Sequence, residues 1–245
     1  MQLNYAQKTD VGLKRENNQD YLGVFTNKEN LMFFAMADGV TGSNQGNIAS
    51  KTVVDFLGEA WENSQLTGID LIRDFLIEQS QEVNKKLRDL SKNDIENIKM
   101  ATTFVGLVFI DQQVLSINVG DSRAYQFSGS QLIQLSQDHS LAAEMIKSGG
   151  VTEEDAANIQ NGENITRYFG SDVLPEFATA IADFDLKDQF LLATDGLTKE
   201  VDEKDIIKIL KSKKEIDIKV DQLIDKANDN SGFDNVSAIV IEAKE

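Results

Sequence analysis

Between Thr102 and Leu135 the chain alternates apolar runs with very short breaks. The runs are Thr102–Ile110, Val114–Val119, Arg123–Phe127 and Leu132–Leu135, and the breaks read "DQQ", "GDS" and "SGSQ". Breaks of this length and chemistry are turns between antiparallel neighbours, because a parallel pair needs a crossover of about a dozen residues or more. The stretch therefore predicts an antiparallel meander, and any fold for this chain has to be built around it.

The flanking sequence supplies the other layers. Earlier β-like segments are Leu3–Lys8, Tyr21–Phe25 and Leu31–Ala37. Helical patterns follow over Gly46–Glu59 and Gly68–Leu90, the second with Leu71, Phe75, Ile77, Val83, Leu87 and Leu90 mostly on one face. Ser140–Ser148 reads as a helix stopped by Gly149-Gly150, and Thr152 as the N-cap of a new helix whose first turn is acidic. Gln189–Ala193 and Asn235–Glu242 are strands, with helices near Glu203–Lys211 and Ile216–Asn228 between them. Strand pairs, two long helices, a meander, then helices and a last strand predict an α+β fold with antiparallel sheets. With 245 residues, one proline (Pro175) and no linker or repeat, the expectation is a single domain over 1–245.

Composition removes several chemistries. There is no cysteine, hence no disulfide, thiolate nucleophile or Cys-based zinc site, and the lone histidine, His139, excludes multi-His metal sites. No apolar run approaches the roughly 18–20 residues that cross a bilayer, and "MQLNYAQKTD" lacks a basic start and an apolar signal core. A soluble cytoplasmic protein with no membrane association is expected. The net charge of −17 argues against nucleic acid, whose phosphates need clustered Lys and Arg. Most of that acidity reads as a solvated surface.

Some carboxylates do not fit that reading. Asp38 in "MADGV" and Asp195 in "LLATDGL" each end an apolar run and precede glycine, while Asp121 in "GDSR" and Asp234 in "SGFDNVS" sit at other strand–loop junctions, and Asp20 closes "RENNQD" just before a strand. A carboxylate buried there without a partner costs several kcal/mol. One remedy is a turn in which it caps backbone N–H groups. The other is a divalent cation of the hard, oxygen-seeking kind, Mg²⁺ or Mn²⁺, which a following glycine lets the backbone approach. Carboxylates brought together repel unless a cation sits among them, and two cations can share a bridging carboxylate and a bridging water. Arg15, five residues before Asp20, has the fork geometry to grip a phosphate. No P-loop or GxGxxG is present, and a triad through His139 lacks a Gly-x-Ser-x-Gly elbow, so His139 reads as structural.

Taken in order, "TDVGLKRENNQD", "MADGVTGSNQGNIAS", "KMATTFVGLVF", "NVGDSRAYQF", "QLSQDHS", "ITRYFG", "LLATDGLT" and "SGFDNVSAIVIE" resemble the bacterial branch of the metal-dependent protein phosphatase 2C family, from Asp10 to Glu242. The resemblance implies a four-layer α-β-β-α sandwich with two central antiparallel sheets and a binuclear Mn²⁺/Mg²⁺ site at one edge. It implies that Asp38 bridges the two ions, that the Gly39 carbonyl binds one, and that Asp195 and Asp234 complete the ligands. Asp20 would be a ligand or hold a metal-bound water. Asp121, with Asp195, would hold a third, looser ion; Arg15 would bind the substrate phosphate; and 140–170 would be a mobile flap. The implied activity is hydrolysis of phosphoserine and phosphothreonine by a metal-bridging water, in a monomer whose partners are phosphorylated proteins, among them a bacterial Ser/Thr kinase and its substrates. Two alternatives stand beside it: a diverged, weakly active member that binds phosphoproteins or signals, and a two-metal phosphodiesterase.

Departures from the family pattern are Gln19 where many relatives carry Glu, Thr41 at a glycine position, "MATT" for Met-Gly-Thr-Thr and the missing His-Pro in "NIQNGENITR". Val40 stands where some members have a histidine that can protonate the leaving group. None of these removes an implied metal ligand.

Overall fold

The computed structural model describes residues 2–40, 45–93, 100–156 and 159–244. Thr41 lies outside them. Strands β1 (Gln2–Asp10), β2 (Asp20–Thr26) and β3 (Met32–Asp38) lead into helices α1 (Gly46–Glu62) and α2 (Ile69–Asn93). Then come β4 (Phe104–Ile110), β5 (Gln113–Val119), β6 (Arg123–Ser128), β7 (Gln131–Gln134), α3 (Leu141–Lys147), α4 (Glu153–Ala156) and β8 (Ala178–Asp183). The chain finishes with β9 (Gln189–Ala193), α5 (Asp195–Thr198), α6 (Glu203–Leu210), α7 (Ile216–Asn230) and β10 (Val236–Lys244).

The strands form two antiparallel sheets, ordered β1-β10-β9-β6-β7 and β2-β3-β4-β5-β8. Side chains alternate along β3, and that alternation builds two of the three cores. Phe34 and Met36 point between the sheets with Phe109, Phe190, Leu192 and Ile239, where Phe109 meets Phe190 edge-to-face at 4.8 Å. Phe33, Ala35 and Ala37 point the other way, into a core shared with α1 and α2. On the far side α6 and α7 cover the first sheet through Ile206, Leu210, Val220 and Leu223. The layers therefore run α-β-β-α.

Three expectations change. The predicted meander is not one sheet. β4 pairs with β5 and β6 with β7, but β5 turns to β8 and β6 to β9, so "GDS" carries the chain from one sheet to the other instead of closing a hairpin. Gly120 takes φ +101° at that crossing, a conformation glycine adopts without strain. Second, the sequence predicts no strand between 136 and 188, yet β8 pairs with β5 there; its apolar residues are three alanines and Ile181, a weak strand signal. Third, the buried stripe of α2 runs through Ile72, Leu76, Val83 and Leu87, while Leu71 is 62% exposed. Ser80 lies buried on that stripe in place of a larger apolar residue, which hides the helical phase.

The segment from 140 to 165 is an excursion whose ends meet: Ser140 bridges Ile165 in β fashion. Within it α3 stops at Lys147 and Gly149 follows with φ +72°, and the Thr152 hydroxyl accepts the Asp155 N–H, as the sequence predicts for both.

Candidate metal and phosphate site

Strand direction delivers the aspartates to one end of the sandwich. Asp38 ends β3 and Asp20 begins β2, and the two face each other in register. Asp121 lies on the crossing between the sheets, Asp195 follows β9 at the start of α5, and Asp234 precedes β10. Asp121, Asp195 and Asp234 line a cleft of about 800 Å³ together with Phe233, Lys199 and Glu163.

The carboxylates of Asp20, Asp195 and Asp234 are each held by donors on one side, and Asp38 by its backbone. Asp20 is buried, and its Oδ2 accepts hydrogen bonds from Thr194 Oγ1 at 2.9 Å and Ser237 Oγ at 2.7 Å. The Asp38 N–H donates to Thr103 Oγ1, which lies 2.7 Å from Ser122 Oγ beside Asp121. Asp195 Oδ2 accepts from Lys199 Nζ at 2.8 Å, one helical turn on. Asp234 Oδ2 pairs with Arg15 at 2.8 Å, and that guanidinium lies 5.9 Å from the exposed Phe233 ring.

The opposite oxygens are the informative ones. Oδ1 of Asp20, of Asp121 and of Asp195 is buried with no hydrogen-bond partner. Leaving such atoms bare is expensive. The electrostatics agree. Burial, opposed by its two hydroxyl donors and reinforced by Asp195 and Asp234, raises the Asp20 carboxyl to about 7. Burial and then the charges of Asp20 and Asp195 push Asp38 well above the usual carboxylate range. Burial and Asp195 raise Asp121 to about 6. A cation removes all three penalties at once. Oxygen donors without thiolate or exposed imidazole suit a hard divalent ion. Among the described residues no three acidic or imidazole groups stand as a ready-made cage. The ammonium of Lys199 lies beside Asp195 and the guanidinium of Arg15 beside Asp234.

The same order of motifs, the same sandwich and this carboxylate cluster prompt comparison with known proteins. The family model described as protein phosphatase 2C matches residues 13–217. The chain belongs to the protein phosphatase 2C family. It is 37% identical over 236 residues to the serine/threonine phosphatase stp of Listeria welshimeri, covering 96% of this chain and 94% of that one. It superposes on the S. agalactiae serine/threonine phosphatase with a TM-score of 0.94 at 30% identity, covering 99% and 100% of the two chains. A structure of the catalytic domain of the phosphatase PstP in complex with two manganese ions matches with a TM-score of 0.83 at 26% identity, covering 99% of each chain.

Within this phosphatase 2C fold, the packing adds a second reason for two residues singled out in the sequence. The sequence suggests that Gly39 lets the backbone approach an ion. A Cβ there would lie 2.5–2.7 Å from the backbone of Gly46, so the close approach of α1 also requires a glycine at this position. Gly196 likewise faces the carbonyl of Asn235, which a Cβ would meet at 2.0 Å. Gln19 is more than an outer charge lost: it donates its backbone N–H to Asn235 Oδ1, and its side chain lies beside Gly46. His139 is buried, its Nδ1 accepts the Gly120 N–H, and burial with the Arg167 charge lowers its pKa to about 4. It is a neutral prop of the crossing that carries Asp121.

Sequence reasoning missed the supporting polar groups. Asn235 Nδ2 donates to the carbonyls of Val11 and Asn17, fastening the loop that bears Arg15 to the start of β10. Thr194 and Ser237 orient Asp20 across the seam between sheets. The one signal for Lys199 is its i+4 spacing from Asp195, across a four-residue helix too short to leave an apolar period.

Proposed function

We propose that this chain is a metal-dependent protein serine/threonine phosphatase acting on phosphoserine and phosphothreonine in proteins. The observation that carries it is the end-on cluster of Asp20, Asp38, Asp121, Asp195 and Asp234, with buried oxygens left bare, beside the guanidinium of Arg15 in a phosphatase 2C fold. Asp38, Asp195, Asp234 and the Gly39 carbonyl would hold two Mn²⁺ or Mg²⁺ ions, with Asp20 as a further ligand or as the anchor of a coordinated water. Asp121 with Asp195 would hold a third. When bound, the ions supply Lewis acidity, stabilising charge on phosphoryl oxygens and activating water.

The chain's own residues do the rest. Arg15 offers its N–H fork to the substrate phosphate, exchanging the Asp234 carboxylate for a phosphoryl oxygen pair. Burial raises the carboxyls of Asp20, Asp38 and Asp121, and a cation among them offsets that cost, so chemistry and fold share one electrostatic requirement. Val40 gives no proton, and neutral, buried His139 does not line the cleft, so the proton for the departing seryl or threonyl oxygen comes from water. The kinase opposed, the cellular metal, the monomeric state, the cytoplasmic location and a flap over 140–170 belong to the same proposal. Among the described residues no helix is long and apolar enough to cross a membrane. The chain keeps Asp38, Asp195 and Asp234, which supports the active reading over the weakly active one.

The test is turnover of a phosphothreonine peptide. Activity should vanish in EDTA and return with Mn²⁺. Full activity after exhaustive chelation, with metal content checked by elemental analysis, would overturn the proposal.

A further inference from the structure

Lys199 makes three ion pairs that the mechanism above leaves unused. Its Nζ lies 2.8 Å from Asp195 Oδ2, 3.7 Å from Asp121 Oδ2 and 3.3 Å from Glu163 Oε2. The ammonium thus stands between two carboxylates of the site and one from the excursion between Ser140 and Ile165. Asp121 is 6% exposed, and its Oδ1 is buried without a partner, as is Asp195 Oδ1. Two fully used carboxylates would have no need of a further cation. These two each keep an open oxygen, and among the described residues the charge that offsets both is the lysine's.

We propose that Lys199 is a tethered, exchangeable counter-ion that fills the cation position between Asp121 and Asp195 and that a divalent ion binding there must displace it. The inference rests on reading these carboxylates as cation ligands, and adds which of this chain's residues sets the order of filling. Three features suit an exchange. The lysine side chain is 41% exposed, so it has room to move toward solvent. Glu163 is 80% exposed and already in reach, so the displaced ammonium keeps a carboxylate partner. An incoming dication brings twice the charge to a position where the ammonium is held by a flexible four-carbon stem, and oxygen-rich sites bind hard dications through several ligands at once. Asp234 is paired with the guanidinium of Arg15, whereas Asp121 and Asp195 share one ammonium that stands between them, so an ion entering there competes with it directly and this position fills last.

The experiment is a Mn²⁺ titration of the full chain, followed by calorimetry and by the loss of the paramagnetic resonance signal of free Mn²⁺. Wild type, Lys199→Met, Lys199→Arg and the double variant Lys199→Met/Asp121→Asn are compared. Lys199→Met should lower the half-saturation of the weakest step by tenfold or more and shift the tighter steps, which share Asp195, by much less. Lys199→Arg should behave as wild type, and the double variant should lose the gain. Circular dichroism checks folding, with Lys199→Gln replacing Lys199→Met if the latter unfolds. Superimposable isotherms for wild type and the neutral variant would overturn the proposal while leaving the phosphatase reading intact. A gain that persists in the double variant would also overturn it, by placing the effect elsewhere. Absence of any Mn²⁺ binding by wild type would remove both.

Discussion

The Asp20 carboxyl offers a direct measure of how far this fold depends on its cations. In the folded chain it is held at about 7, chiefly by burial, against an ordinary value of 3.8. Its Oδ2 takes two hydroxyl donors, and its Oδ1 takes none. Asp20→Asn keeps an oxygen for Thr194 and Ser237 and removes the charge. The sign follows from proton linkage: between pH 4 and 7 the folded metal-free protein binds a proton that the unfolded chain has released. Stability contributed by the protonated carboxyl is therefore complete below pH 4 and is lost as pH rises through 7. At about 1.4 kcal/mol for each pH unit of that window, the ceiling is roughly 4 kcal/mol. Urea denaturation in EDTA should show Asp20→Asn equal to wild type near pH 4. At pH 8 it should be more stable by about 2–4 kcal/mol, the lower figure allowing for relaxation around the neighbouring carboxylates. With saturating Mn²⁺ the order should reverse, because the carboxylate then offsets a cation. A variant no more stable than wild type at pH 8 in EDTA would refute the reasoning, since burial would not be penalising the charge.

Other outcomes follow from the same geometry. Asp38→Ala and Asp234→Ala should each lower phosphopeptide turnover by about 100-fold or more with the circular dichroism spectrum unchanged; near wild-type turnover of the Asp38 variant would disprove its assignment as a cation ligand. Asp121→Ala should spare the two tighter Mn²⁺ sites while reducing turnover and raising the metal requirement; calorimetry showing loss of all binding would place Asp121 among the primary ligands. His139→Gln should keep turnover of both a phosphopeptide and an aryl phosphate within about tenfold. A selective loss of about 100-fold on the phosphopeptide alone would make His139 the general acid after all. Gly39→Ala should destabilise the fold by roughly 1–3 kcal/mol in urea, because the new Cβ meets the Gly46 backbone at 2.5 Å; an unchanged midpoint would mean that α1 can retreat without penalty.

The sequence by itself determined which residue types could do chemistry here and where most strands and helices run. Apolar periodicity is a local property, and so is the pairing of an aspartate with a strand end, so β3 with Asp38 and β9 with Asp195 are legible in the residues alone. The order of eight motifs tied those aspartates to one family. The tertiary structure decided what no local pattern encodes. Whether "GDS" closes a hairpin or crosses between sheets depends on which strands β5 and β6 find as neighbours, and those neighbours, β8 and β9, lie more than 50 residues further along the chain. That crossing is what sets Asp121 beside Asp195. Thr194 and Ser237 look like ordinary strand polar residues until two sheets bring them to Asp20, and Lys199 like a surface charge until α5 turns it back onto two carboxylates. Hydrogen bonds and ion pairs between residues distant in sequence leave no periodic trace, so only the packed fold shows which side chains hold the site.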